Sequence, residues 1–280
     1  MGDHYIPQYY LKGFSKNNGK QIWVYGKNDG RAFTTQIKNI ANENNFYDAV
    51  TEQYLANKVE APANRVLDKI RNCEKLTTSD KEILSEYIVV MMKRVPKGKT
   101  QVNELIPTIA TKISQKINEG FNIIASKESH KIQLIKKRRV EIQKILDKYT
   151  KQPKQIWLDS IPPNMTPKMI AAISSMTWRF LTYNQSPVFL SCDNPVFYFS
   201  GIGIGNPKSE ITLPISSHIT LWATWRSDLV EGYFPTTTRV VKEINRRTAS
   251  NTTQYIYHCE NEDWVLKFIQ RSDWELHWLK

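Results

Sequence analysis

Apolar positions along the chain change period twice, and the changes divide it into three stretches. In the first fifty residues the pattern is short and strand-like. Gln21-Ile22-Trp23-Val24-Tyr25 reads as a strand, Asn28-Asp29-Gly30 as a tight turn, and Arg31-Ala32-Phe33-Thr34-Thr35 as the returning strand. Asn44-Asn45-Phe46-Tyr47 adds a second aromatic patch. From about Thr51 the spacing becomes helical, with Leu55, Val59, Val66, Leu67 and Ile70 in register and a break or kink near Pro62. Ser79-Asp80-Lys81-Glu82 reads as a capping box. The helix it opens carries Leu84, Tyr87, Ile88 and Met91 on one face and stops before Pro96. Arg94 lies two turns beyond Tyr87 on that face, where a cation either snorkels at the helix end or points into a site.

Ile106, Ile109, Ile113, Ile117, Phe121 and Ile124 step by three or four along an amphipathic helix. A further helix from about Glu128 to Tyr149 turns Ile132, Ile135, Ile142, Ile145 and Leu146 inward. The two form an antiparallel hairpin joined near Ser126. Residues 152–167, with four prolines, read as linker. Thr166-Pro167 starts a central helix through Ile170, Ile173, Met176, Phe180 and Leu181. Beyond Gln185 the pattern returns to strands at 188–191, 196–199, 210–213 and 218–223. Residues 228–235 read as loop, 239–250 as a polar helix, and 254–259 with 264–268 as strands that close the sheet.

The 280 residues suffice for a sizeable core, and 40% hydrophobic with 24% charged content is ordinary for a globular protein. No apolar run approaches the ~20 residues of a membrane span, and no basic stretch followed by an apolar one opens the chain. Cys73, Cys192 and Cys259 are widely separated, which excludes a CxxC zinc site and leads us to expect a reducing, cytoplasmic setting. Net charge is +12. Residues 127–154 hold ten Lys/Arg against three Asp/Glu, so +7 of that excess sits on one helical segment, a pattern suited to nucleic acid.

Known catalytic spacings such as HExxH, GxSxG, DxD and CxxC are absent, and the histidines show no metal-ligand spacing. A divalent metal is compatible with the sequence only if its ligands converge across the fold. Gly201-Ile202-Gly203-Ile204-Gly205 lacks the Lys-Ser/Thr of a phosphate loop and reads as a hairpin connection. Two stretches hold candidate chemistry. In Ser191-Cys192-Asp193-Asn194-Pro195 an aspartate ends an apolar strand, either as a turn-maker or as a rigidly held base. In His4-Tyr5-Ile6-Pro7-Gln8-Tyr9-Tyr10-Leu11-Lys12-Gly13-Phe14 an unusually aromatic start demands burial. Its histidine is either a satisfied core residue or an acid–base group, and Gln8 shares its side at either period. Glu60, in an alanine-rich helix, is a weaker candidate.

These stretches, with Ile40-Ala41-Asn42-Glu43-Asn44-Asn45-Phe46-Tyr47, Glu60, Arg94-Val95-Pro96, Leu213-Pro214-Ile215-Ser216 and Asn245-Arg246-Arg247-Thr248-Ala249, resemble an uncharacterised, mostly bacterial family, domain of unknown function 4238. Cys192 departs from the threonine or serine-like residue expected there. The resemblance brings no activity; it implies that polar residues at both ends of the chain belong to one pattern.

The expectation is a single α+β domain over 1–280: a β-rich entry (1–50), a helical middle (51–184) and a β-rich C-terminal part (185–280). A mainly antiparallel sheet from both ends of the chain packs on the helical middle with its basic hairpin. The leading functional expectation is a hydrolase, a nuclease or related phosphodiester-directed enzyme in a toxin or defence context. His4 and Asp193 would be catalytic, with Gln8, Arg94 and Asn194 binding substrate. The alternative is a non-catalytic nucleic-acid- or protein-binding module.

Overall fold

The computed structural model describes residues 2–16, 19–186, 188–271 and 274–279. Along the chain run β1 (Asp3–His4), α1 (Gln8–Leu11), β2 (Gln21–Gly26), β3 (Ala32–Gln36), β4 (Asn42–Glu43), α2 (Ala49–Tyr54), α3 (Ala61–Arg71) and α4 (Thr78–Arg94). Then come α5 (Pro96–Lys127), α6 (Ile132–Thr150), α7 (Pro153–Ser160), α8 (Pro167–Ser175), β5 (Thr177–Thr182), β6 (Ser191–Cys192) and β7 (Phe197–Tyr198). The chain continues through β8 (Glu210–Ser216), β9 (Ile219–Thr224), β10 (Gly232–Pro235), α9 (Thr238–Asn251), β11 (Tyr255–His258) and α10 (Asp263–Ile269). The class is α+β, with antiparallel sheets and a long helical middle. The chain divides into two compact units, Met1–Pro96 with Pro162–Lys280, and Lys97–Ile161.

In the first unit, strands from both ends of the chain share a four-stranded antiparallel sheet in the order β3-β2-β11-β6. Its β2–β3 hairpin turns at Asp29-Gly30, where Gly30 takes φ +65 and Asp29 Oδ1 accepts the Arg31 N–H at 3.1 Å. A second, five-stranded sheet runs β10-β5-β9-β8-β7, parallel only between β10 and β5. Helix α9 serves both sheets. Its Ala249 joins Tyr25, Leu190, Cys192 and Ile256 on one side, and its Val241 and Ile244 join Phe189 and Trp222 on the other.

Four local expectations are corrected in this unit. The helix starting at Pro167 ends at Ser175, because Met176 turns extended (φ −67, ψ 153) and Thr177–Thr182 pairs with β9. A continuous apolar run cannot by itself separate a buried helix from a buried strand. The stretch at 264–268 is helix α10, which sets Val265 and Ile269 one turn apart in the core. Part of the 228–235 loop is edge strand β10. The capping box of α4 is Thr77/Asp80 rather than Ser79/Glu82, with the Asp80 N–H on Thr77 Oγ1 at 3.2 Å and the Thr77 N–H on Asp80 Oδ2 at 2.8 Å. The break near Pro62 is a π-helical turn, Leu55–Glu60, just before α3.

The opening stretch is buried as its composition demands: Tyr5, Ile6, Tyr10, Leu11 and Phe14 all lie in the core. Gly13 permits a close backbone approach, since a Cβ there would collide with the Ile215 carbonyl oxygen. Its own carbonyl accepts the Ser217 N–H at 2.9 Å.

The second unit holds α5 and α6, linked by residues 128–131, and α7, which occupies part of the expected linker. Arg139 of α6 donates to Asn122 Oδ1 of α5 at 2.6 Å and lies over the Phe121 ring. Ile106 and Ile135 are buried, but Ile109, Ile113, Ile124, Ile132 and Ile145, all expected inward, are exposed. The inward stripe is narrower than the apolar pattern suggests. No helix among the described residues is long and apolar enough to cross a membrane.

Candidate functional site

The candidate residues gather into two groups within the first unit. The first centres on Arg94. Val95 is held extended (φ −81, ψ 159) before Pro96, as the residue preceding a proline must be, so α4 stops with its last residue buried. Arg94 is 1% exposed, and its donors are occupied by the protein itself. Nη1 donates to Glu60 Oε1 at 2.6 Å, Nη2 to the His4 carbonyl at 2.5 Å, and Nε to the Tyr47 hydroxyl at 3.3 Å. Tyr47 returns its proton to the Arg94 carbonyl at 2.7 Å, and its N–H donates to Asp3 Oδ2 at 3.1 Å. Arg94 therefore does not snorkel to solvent, and the anion it grips is the protein's own Glu60.

His4 sits on β1, paired with Asn42 of β4. Burial pushes its pKa below the usual histidine value, against the pull of a hydrogen bond with the Lys38 backbone and of Glu60. Its Nε2 is buried with no hydrogen-bond partner among the described residues, as is Glu52 Oε2 nearby. Burial raises the Glu52 pKa, which Arg94 partly offsets. Gln8 is exposed at the start of α1, and its side chain makes no hydrogen bond among the described residues.

The second group centres on Asp193, 3% exposed after β6. Oδ1 accepts the Thr253 N–H at 2.9 Å, and Oδ2 accepts the N–H groups of Gln254 at 2.6 Å and Tyr255 at 3.4 Å. Burial raises its pKa, and these backbone donors pull it back. The carboxylate thus fastens the turn after β6 to the start of β11. Asn194 is buried beside it, donating to the Asn251 carbonyl at 3.3 Å while its own carbonyl accepts from Asn251 Nδ2 at 2.7 Å.

The opening stretch does reach the Ser191–Pro195 segment, through Tyr10 and not His4. The Tyr10 hydroxyl lies 2.9 Å from Ser191 Oγ and donates to the Pro214 carbonyl at 2.7 Å. The Asp193 charge also helps hold up the pKa of Tyr5, after burial. No hydrogen bond or ion pair among the described residues joins His4 to Asp193 directly. No group of three or more His, Cys, Asp or Glu that could hold a metal ion occurs among the described residues.

A third polar cluster escaped the sequence reading. Arg247, fully buried on α9, donates to Glu210 Oε2 at 2.7 Å and to the His277 carbonyl at 2.5 Å, and its Nε lies 3.8 Å from Glu243 Oε1. The Asn245-Arg246-Arg247 motif was its only signal. Asn245 from the same motif takes the Leu190 N–H and donates to the Val188 carbonyl, both at 2.9 Å. A motif in a polar helix is therefore a set of buried ties between α9, the segment entering β6, and the residues near 277.

No curated protein and no solved structure matched the chain. A family model described as "Protein of unknown function (DUF4238)" matches residues 3–262, which include both candidate groups and the α9 motif. Since that match covers most of its length, the chain belongs to the DUF4238 family.

Proposed function

We propose that this protein binds nucleic acid without cleaving it, through the basic helical segment at residues 127–154. One observation carries the reading. Lys136, Lys137, Lys144, Lys148 and Lys151 are exposed on or just after α6, and no carboxylate pairs with them among the described residues. Lys137, Lys144, Lys148 and Lys151 step by seven, four and three, which lines them along one helix face over ~21 Å. Unpaired lysines in such a row release counterions when they meet phosphates, so binding should weaken steeply with salt. The buried candidates support the same reading: Arg94, Asp193 and Asn194 are committed to partners inside the protein.

The test compares the native protein with the quadruple variant Lys137→Glu, Lys144→Glu, Lys148→Glu, Lys151→Glu on single- and double-stranded RNA and DNA across a salt series. Affinity should fall at least about tenfold, and the log–log salt slope should flatten by about three to four on duplex DNA. Unchanged affinity and slope would reject the assignment.

A hydrolase remains the second reading, favoured by the unpartnered His4 Nε2 beside Glu60. His4 would be the acid–base group, and Asp193 would have to contribute separately, since no hydrogen bond or ion pair among the described residues joins the two. Cleavage of RNA or DNA, assayed with and without a divalent metal, should disappear in both His4→Ala and Asp193→Ala. Retention of cleavage in both rejects those roles.

A further inference from the structure

On the solvent side of α9 the first unit carries a cleft used by neither reading. Its larger part, of about 730 Å³, is lined by Arg239, Lys242, Arg246, His277 and Trp278 among others. A smaller part of about 300 Å³ adds Arg271, Trp274 and Glu275 and shares Arg246 and His277 with the first. Arg239, Lys242 and Arg246 fall at i, i+3 and i+7, so one helix face presents all three to the same space.

Charge in this cleft is poorly compensated. Glu243 lines it, but its oxygens already accept from the His277 N–H at 2.8 Å and from Arg246 at 3.0 Å, with Arg247 against them below. Arg239 and Lys242 are exposed and have no ion-pair or hydrogen-bond partner among the described residues. Glu275 lines only the smaller part. Gathering like charges without a counter-ion is unfavourable unless an anion joins them.

The aromatic wall is braced. Trp278 is half-exposed, stacks on Phe199 at 5.0 Å and 26°, and donates its indole N–H to the Lys208 carbonyl at 2.8 Å. The segment carrying it is tied down by His277 to Glu243 and Arg247, and by the Leu279 N–H on Glu210 Oε1 at 3.1 Å. In the smaller part the Trp274 indole N–H is buried without a partner among the described residues. Cationic side chains beside a fixed aromatic face are what a phosphate joined to a planar base requires. The larger volume also suits a small molecule.

We propose that this cleft binds a nucleoside phosphate, with the phosphate on Arg239, Lys242 and Arg246 and the base against Trp278. Arg239, Lys242 and Arg246 lie within the family match at 3–262 and Trp278 lies beyond it, so the site combines α9 with the C-terminal segment. It is independent of the basic helix on α6.

Calorimetric titration of the full chain with AMP, ADP and ATP tests this, with adenosine and inorganic phosphate as partial ligands. At least one nucleotide should bind, about tenfold or more tighter than either partial ligand. Arg239→Glu with Lys242→Glu should weaken that nucleotide at least about tenfold at an unchanged melting temperature, because both side chains are exposed and unpaired. Trp278→Ala should weaken the nucleotide and leave inorganic phosphate unaffected. A 5′-phosphorylated oligonucleotide, compared with its 5′-hydroxyl form, separates a strand end from a free nucleotide as the source of the same chemistry. Absence of saturable nucleotide binding, or equal affinity in the double charge variant, overturns the proposal.

Discussion

Among the described residues two arginines, Arg94 and Arg247, are completely buried, and their surroundings differ. Arg247 faces two glutamates and a main-chain carbonyl, and the same glutamates receive the N–H groups of His277 and Leu279. Only Nη2 of Arg247 hydrogen-bonds, while Nε and Nη1 have no hydrogen-bond partner among the described residues, and the cluster holds the residues near 277 through that nitrogen and the two carboxylates. Arg94 faces a single paired carboxylate, Glu60, whose side chain keeps 21% exposure, and its neighbours His4 and Glu52 each retain a buried polar atom without a partner. Both clusters thus keep buried polar atoms without hydrogen bonds, on the arginine itself at Arg247 and on the titratable neighbours of a fully bonded arginine at Arg94. Such atoms carry a desolvation cost, which two carboxylates offset at Arg247 and one at Arg94.

The largest effect should come from removing the cation that faces two buried carboxylates. Arg247→Ala leaves Glu210 buried without its cation and Glu243 with Arg246 alone, a loss of about 3–5 kcal/mol in urea unfolding. The His277 and Leu279 amides should also exchange faster with solvent. Native exchange at those two amides in a folded variant would show that Arg247 is not what holds the segment.

The same comparison explains what the sequence could and could not disclose. The β2–β3 hairpin was legible because Asp29-Gly30 carries its own turn chemistry, and the burial of the opening stretch because a run with Tyr5, Ile6, Tyr10, Leu11 and Phe14 has nowhere else to go. Strand β5 and helix α10 were misread because Phe180-Leu181 and Trp264-Val265 suit either element, and only packing decides. Arg94, Glu60 and Asp193 were visible as candidates, but the partners that define their roles were not. Asp193 meets the N–H groups of residues 253–255, and Arg94 meets the carbonyl of His4. Main-chain donors and acceptors are the same at every position, so no residue pattern announces them.

At Arg94, which faces one carboxylate that is partly exposed, the cost of losing the cation should be smaller. Arg94→Ala should destabilise by about 2–3 kcal/mol, because Glu60 can recover water while the His4 carbonyl and the Tyr47 hydroxyl lose a donor. Chemical denaturation of both arginine variants under one condition tests the ranking, and a loss at Arg94 equal to or above that at Arg247 would remove the distinction between the clusters. Below both comes Asp193→Asn, at about 1–2 kcal/mol. It replaces one accepting oxygen with a donor facing backbone N–H groups and weakens the tie to β11 without opening a cavity. A variant as stable as the native protein would mean that the Asp193 carboxylate does not hold that turn.

The smallest expected effect is also the most specific to the Arg94 cluster. His4 faces Glu60, Arg94 and Asp3 as well as the Lys38 backbone, and burial outweighs the groups that favour its charge, so its folded pKa lies below the reference value of 6.5. As pH falls through about 6.5 the unfolded chain takes up a proton that the folded chain refuses. Stability therefore drops with falling pH in that window, and the drop stops once pH passes the folded-state pKa. His258, also buried with a lowered pKa, adds the same sign from the four-stranded sheet, so the native profile contains both contributions. His4→Gln should remove only its own share: the urea midpoint should change less between pH 7.5 and 5.5 than it does in the native protein, while His258 still titrates. An identical slope in the variant would mean that the unpartnered imidazole is not a titrating element of the fold, and the Arg94 cluster would then differ from that of Arg247 only in its number of carboxylates.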